Sequence, residues 1–449
     1  MRRHFSAFFL IFAVFVLLSA CAPKDSPITL TSAQTDVFRQ ISPAGVTAWD
    51  EGFYLFSAEE YSGFIDLSAS IFTFYPRGAV TFSLSSQNGR LTPQREYIVR
   101  KENGLYGYID QRGEWVIPPQ WEEAWPFSDG LARVEKDQHT YYIDTDGNIA
   151  FESAWDDSTH FLNGLAPMCK DGKWGYMDRQ GHAVIVPQWD ETWASPSAPD
   201  IKIVSSNGKY GFIDSQGNVL CEPVYADCRE AGEGFFRVQM GSKWGFVNSQ
   251  GELVVPAEWE WEPKQSMETS LDILDSRAIA PDYFHDGYVV VERSGYSGVV
   301  DAKGTIILDP VWDRILPLSQ QLFAAYSGGK YMILNTQGQA LTSDLWNHVS
   351  PFFEGLAYAA ADDKHGYIDA KGRMVISLSD TGYASGTGFS EGLAAVRLSE
   401  TGKWGYINTR GKVVISPEWD TISPFCHGVA LVEKDGAFLL IDKNGRILY

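Results

Sequence analysis

One six-residue phrase recurs along this 449-residue chain and sets what it can fold into. It reads Lys173-Trp174-Gly175-Tyr176-Met177-Asp178, Lys209-Tyr210-Gly211-Phe212-Ile213-Asp214, Lys243-Trp244-Gly245-Phe246-Val247-Asn248 and Lys403-Trp404-Gly405-Tyr406-Ile407-Asn408. Weaker copies begin at Leu105, His139, Tyr296, Lys330, Lys364 and Ala437, and Tyr61-Ser62-Gly63-Phe64-Ile65-Asp66 is a decayed copy at the front. The second positions of the ten fuller copies fall at 106, 140, 174, 210, 244, 297, 331, 365, 404 and 438, so six of the nine steps are 34. A fixed period means tandem units, each of which must bury its apolar face on its neighbours.

Two landmarks keep step. A Gly stands three residues after the Asp or Asn in all ten copies, from Gly113 to Gly445, and an aromatic stands fifteen after the second position at Trp121, Trp155, Trp189, Tyr225, Trp259, Trp312, Trp346 and Trp419. Asp380 breaks the second series. Helical repeats also run at 34 residues, but several Gly per unit and Val/Ile/Tyr/Phe runs of five or six residues are too broken for paired helices. The units are strands. Asp-x-x-Gly between two runs predicts a turn in which the acid or amide accepts and Gly closes the hairpin in the left-handed region. Each unit is therefore expected to be a three-stranded antiparallel meander, and the Gly beside the aromatic to leave room for the aromatic fifteen residues on.

With the downstream Gly, Val-Ile, Pro and aromatic, the phrase resembles the WG-repeat family of bacterial proteins over roughly residues 49–449. The resemblance implies β-rich tandem repeats, common on exported or membrane-linked proteins, with no agreed catalytic activity. Thr140-Tyr141, Ser297, Tyr331-Met332, His365 and Phe438-Leu439 depart from the pattern.

Met1-Arg2-Arg3 followed by an uncharged apolar run from Phe5 to Leu18 predicts a signal peptide over 1–20. The run ends at Leu18-Ser19-Ala20-Cys21, which resembles the lipobox of bacterial lipoproteins and implies a lipid attached to Cys21. Residues 21–48 read as anchor and tether, 49–259 as the first six repeats, 260–286 as an insertion where the spacing stretches to 53, and 287–449 as five more. Localisation at a bacterial membrane, facing outward, follows as the expectation. Cleavage removes Arg2 and Arg3 and takes the net charge from −21 to −23. That excess repels phosphate backbones and excludes nucleic acid as a partner.

Catalytic chemistry finds little support. Gly388-Phe389-Ser390-Glu391-Gly392 matches a nucleophile elbow, yet the equivalent place reads Ser128, Leu162 and Cys426 in other units. The turn acids Asp110, Asp144, Asp178, Asp214, Asp301, Asp369 and Asp442 exchange with Asn248, Asn335 and Asn408, which a turn acceptor tolerates and a catalytic carboxylate does not. Eight scattered His and no phosphate-binding Gly-Lys-Ser/Thr leave metal and cofactor sites unsupported, and the expectation is none. Cys221 and Cys228 are close enough in sequence to pair, though the spacing does not require it.

The phased aromatics are expected to fill the core, while Trp115, Trp125, Trp193 and Trp261 fall out of phase and become the candidates for partner contact. The sequence thus predicts an all-β array of about eleven units stacked as an open β-superhelix or solenoid, with two propeller-like rings split at the insertion as the alternative. The expected function is a non-catalytic scaffold binding an envelope protein or glycan. An envelope polysaccharide-processing enzyme using acids such as Glu122 and Glu123, or a plain spacer, are the alternatives.

Overall fold

The computed structural model describes residues 98–110, 114–195, 198–260, 283–318, 321–425 and 428–448, together with the backbone pairing of strands between residues 46 and 93. These residues are all-β, with no helix among them. They form eleven antiparallel sheets of three or four strands and one two-stranded hairpin, and none closes on itself as a barrel. The decayed copy is a strand, Tyr61–Asp66, within the first sheet.

One unit shows the plan. Asp157–Ser158, Ala166–Lys170, Lys173–Met177 and Ala183–Trp189 pair in that order as an antiparallel meander. The expected three strands are present, and a short leading strand is added. At two residues it leaves no alternation in the sequence to detect.

The Gly beside the aromatic has a different neighbour from the one expected. Trp174 pairs with Trp189 and Tyr176 with Ile185, so three residues of the last strand, Val186 to Gln188, bulge opposite Gly175 alone. The same double shift pairs Trp244 with Trp259 and Trp404 with Trp419. A Cβ on Gly405 would lie 2.5 Å from Ile415 O and 2.7 Å from Pro417 N, and one on Gly245 would lie 2.5 Å from Val255 O. The space is filled by the bulged backbone, and the two phased aromatics face each other across the strands beside it. Pro187, Pro223, Pro310 and Pro417 sit in these bulges, where no ladder N–H is needed.

Units that depart from the pattern show what the contact does. With Gly at this place and an aromatic fifteen on, the last strand runs seven residues, as in Trp115–Trp121, Val219–Tyr225 and Ile306–Trp312. Where Tyr141 replaces Gly it shortens to Ile149–Glu152, and where Met332 replaces it the sheet has three strands. Gly366 is present but Asp380 replaces the aromatic, and that strand is Met374–Ser377.

A full-length last strand also starts the next unit. Ala183–Trp189 is separated from Glu191–Ser195, the first strand of the following sheet, by Asp190 alone, and Val413–Trp419 from Thr421–Ile422 by Asp420 alone. The chain thus changes sheets at a corner. Each core cluster lies between two sheets consecutive in sequence: Tyr108, Ile117 and Trp121 pack on Phe127, Val134 and Ile143, and Tyr406, Ile415 and Trp419 on Phe425, Val432 and Ile441. The pattern continues across the insertion, where Phe246, Val255 and Trp259 pack on Phe284, Val289 and Val300. Trp121, Trp189, Tyr225, Trp259, Trp346 and Trp419 are buried, as expected of core aromatics, while Trp155 and Trp312 are only half-buried against their cores.

The Asp-x-x-Gly turns form as the sequence predicts. Gly411 donates to Asn408 O at 2.8 Å with φ +76°, and Asn408 Oδ1 accepts from the N–H groups of Arg410 and Lys412. Asp178 Oδ1 accepts from Gln180 and His182 in the same way, so the acid and the amide serve equally.

Two substitutions separate these roles. Gly405→Ala should cost about 1–3 kcal/mol by overpacking against Ile415 O, and Gly411→Val about 1–2 kcal/mol or more through backbone strain. Asp178→Asn should be nearly neutral. Denaturant unfolding of the three variants checks the order; equal losses from all three would contradict it.

Candidate functional site

The polar residues of the repeat are occupied in joining units. Lys173 Nζ donates to Asp190 Oδ1 at 2.5 Å, and Asp190 Oδ2 accepts from the N–H of Asn207 on the next unit's hairpin turn at 2.6 Å. Lys243, Glu260 and Ser294 repeat the arrangement at 2.8 and 2.6 Å, as do Lys403, Asp420 and Asp435 at 2.5 and 2.9 Å. In these three copies the Lys that opens the phrase and the acid seventeen residues later are two ends of one clamp across the corner, whereas the copy at Lys209 has Ala226 at that place. These positions were visible in the sequence as recurring charges, but only the bulge brings them together.

Buried tyrosines add a second link. Tyr108, Tyr142 and Tyr406 donate their hydroxyls to Trp125 O, Thr159 O and Ser423 O of the following unit at 2.8, 2.6 and 2.8 Å. Burial pushes the Tyr142 hydroxyl up to about 12 and those of Tyr108 and Tyr406 higher still, so all remain donors at neutral pH. A third link runs along the tight turns, where Glu354 accepts from Gly392 N–H at 2.9 Å and Glu391 from Gly428 N–H at 2.8 Å.

This network absorbs the catalytic look-alikes. Ser390 Oγ donates to Phe425 O at 2.7 Å, as Ser128 Oγ does to Phe161 O at 2.5 Å, so both hold the next unit's turn. Asp144 accepts from Asp146 and Asn148 N–H as a turn residue. Glu122 and Glu123 are adjacent and exposed, with Glu122 N–H bonded to Glu135 O. No group of three metal-ligating side chains occurs among the described residues.

Of the out-of-phase tryptophans, Trp115, Trp125 and Trp193 are half-buried; Trp115 and Trp193 lie in strands of two different sheets, and Trp125 follows the two-residue strand Glu123–Ala124. Trp115 opens the outer strand Trp115–Trp121, with the Arg100 guanidinium 4.8 Å from its ring centre. Arg133 lies 4.2 Å from the ring centre of Trp125. Trp193 meets Tyr210 edge-on at 5.5 Å and packs against the core of Ile203, Phe212 and Phe236. Trp193 is therefore partly a core residue, which its position outside the aromatic phase concealed. Trp261 and Cys21 lie outside the described residues, as do the segment read as signal peptide and most of the tether and of the insertion; the strand Val46–Asp50 begins within the residues read as tether.

Aliphatic side chains are exposed beside this network. The last strand is an edge of each four-stranded sheet, and it exposes Val116, Val184, Val186, Val224, Val375, Val413 and Val414. Val186 and, on a three-stranded sheet, Val311 are 62% and 61% exposed. The bulge and its Pro interrupt the free edge, so contact there falls to side chains more than to an added strand.

The clamp acids carry a pH consequence. The ammonium of Lys173 and the Asn207 N–H hold the Asp190 carboxyl below the usual carboxylate range, and Lys403 with Asp435 N–H does the same for Asp420. A depressed folded-state pKa contributes stability above the unfolded value, and that contribution is lost as pH falls through the folded one. The melting temperature should therefore drop below about pH 4, and Asp420→Asn should shrink the drop. A melting curve unchanged from pH 5 to pH 2 would contradict the clamps.

Among solved structures the chain is similar to a eukaryotic initiation factor, at 11% identity and TM-score 0.37 over 68% of this chain and 88% of that one. It is also similar to Hsv2p of Kluyveromyces lactis, at 11% identity and TM-score 0.31 over 56% and 89%. A third likeness is the extracellular domain of a putative one component system from B. thetaiotaomicron, at 11% identity and TM-score 0.24 over 88% of this chain and 64% of that one. Likenesses this distant say nothing of function. No curated protein matches by sequence. Residues 106–138, 142–174, 174–196, 210–244, 244–261, 298–331 and 404–436 match the family model for the WG containing repeat, so seven segments of this β-array are WG repeats.

Proposed function

We propose that the protein is a non-catalytic binding scaffold of the bacterial cell envelope, tethered through a lipid on Cys21 and presenting an open β-superhelix to an envelope protein. The observation that carries this reading is the division of labour in units such as those opened by Lys173 and Lys403. Lys, Asp, Glu and Tyr of the repeat are spent on seams between units, while the outer strands repeat an exposed aliphatic row. Rows of this kind mark interaction surfaces. The apolar row favours a protein over a glycan, since Trp115 and Trp125 face Arg guanidinium groups and Trp193 packs into core.

Support for the open arrangement comes from the clusters, each of which joins consecutive sheets and continues across the insertion. Arrays built this way present long surfaces rather than a single pocket. Support for the anchor is the Leu18-Ser19-Ala20-Cys21 sequence after an uncharged apolar run.

Two experiments test the proposal. Cys21→Ala should abolish labelling by a clickable fatty acid, and equal labelling would remove the anchor. The second compares the chain with a Val186→Asp/Val311→Asp variant in pull-down from envelope extracts. The variant should melt within about 0.5 kcal/mol of the parent, as surface changes do, and lose the captured protein. Unchanged capture, or loss on Trp115→Ala instead, would move the surface elsewhere.

A further inference from the structure

Two thiols meet at one corner of the array. Cys221 lies in the last strand Val219–Tyr225, and Cys228 opens the next sheet's first strand, Cys228–Glu230. Both belong to the core that joins these two sheets, with Cys228 buried at its centre and Cys221 half-buried against it. The same two phases pack together in other units, as Ile117 with Ala124, Leu308 with Ile315 and Ile415 with Ile422. Only here among the described residues do both phases carry sulfur. The aromatic between them is Tyr225, where seven other units have Trp, and its hydroxyl lies beside the Cys221 thiol.

We infer that Cys221 and Cys228 form a disulfide that staples this corner when the protein meets a disulfide-bearing thiol oxidant. Cys221 is the half-exposed entry point. Its thiolate attacks one sulfur of the donor disulfide, expelling one donor thiolate, and Cys228 then displaces the second donor sulfur from Cys221. The two cysteine protons end on the donor thiols, and the two cysteine electrons reduce the donor's S–S bond. Burial pushes the Cys228 thiol up, which leaves Cys221 as the first thiol to react. Cys169, the remaining described thiol, lies on another sheet opposite Asp157. Export to an oxidising compartment, read from the amino-terminal sequence, supplies the setting in which such a bond persists.

The test oxidises the folded full-length chain with oxidised glutathione, then alkylates and digests it with trypsin. Both cysteines fall in the peptide 210–229, which contains no internal Lys or Arg. That peptide should resist alkylation and lose about 2 Da, the two hydrogens of disulfide formation, and the melting temperature should rise by a few degrees that dithiothreitol reverses. Cys228→Ala should instead hold glutathione on Cys221. Free alkylation of both thiols in the oxidised wild type, a persistent glutathione adduct on it, or a cross-link from either residue to Cys169 would each overturn the inference. The wild-type arm stands even if the variant does not fold.

Discussion

A glycine pressed against a carbonyl organises this molecule. Because Gly175, Gly245 and Gly405 have no Cβ, the backbone of the last strand folds into the space a side chain would occupy and gains extra residues over its partner. The extra length carries the strand on to the second aromatic, places the following acid at the corner, and lets the same strand open the next sheet. Hydrophobic burial between units supplies most of the stabilisation, as in any repeat array. The glycine contact decides where that burial can occur.

From this follows the economy of the repeated phrase within one unit. Lys, aromatic, Gly and Tyr have one task each: Lys173 reaches the corner acid, Trp174 faces Trp189, Gly175 admits the bulge, and Tyr176 reaches Thr192 of the next unit at 2.6 Å. None of these tasks is chemistry on a substrate. The polar groups weighed as catalytic, Ser390 and Asp144 among them, are donors and acceptors for the array itself.

The period, the strand content and the Asp-x-x-Gly turns were legible in the sequence because each depends on neighbours a few residues apart. The exchange of Asp178 for Asn248 and Asn408 already told a turn acceptor from a reactive acid. Features that depend on the bulge were not legible. The role of Gly175 was misassigned to an aromatic, since a pairing that skips three residues cannot be read from regular alternation. The Lys–acid clamp stayed hidden for the same reason, the leading strand Asp157–Ser158 because two residues show no alternation, and the partial burial of Trp193 because it stands outside the aromatic phase. Aliphatic residues on the outer strand look like core in the sequence and lie exposed in the structure, because that strand is an edge.

Hydrogen exchange on a Gly245→Ala variant tests the central claim most directly. A Cβ there meets Val255 O, so the bulge must release and the corner to the next sheet must loosen. Amide protection should fall in Leu253–Trp259 and Tyr288–Arg293, while Lys173–Met177 and Trp404–Asn408 keep theirs. Unchanged protection in Leu253–Trp259, or an equal loss along the whole array, would contradict the account.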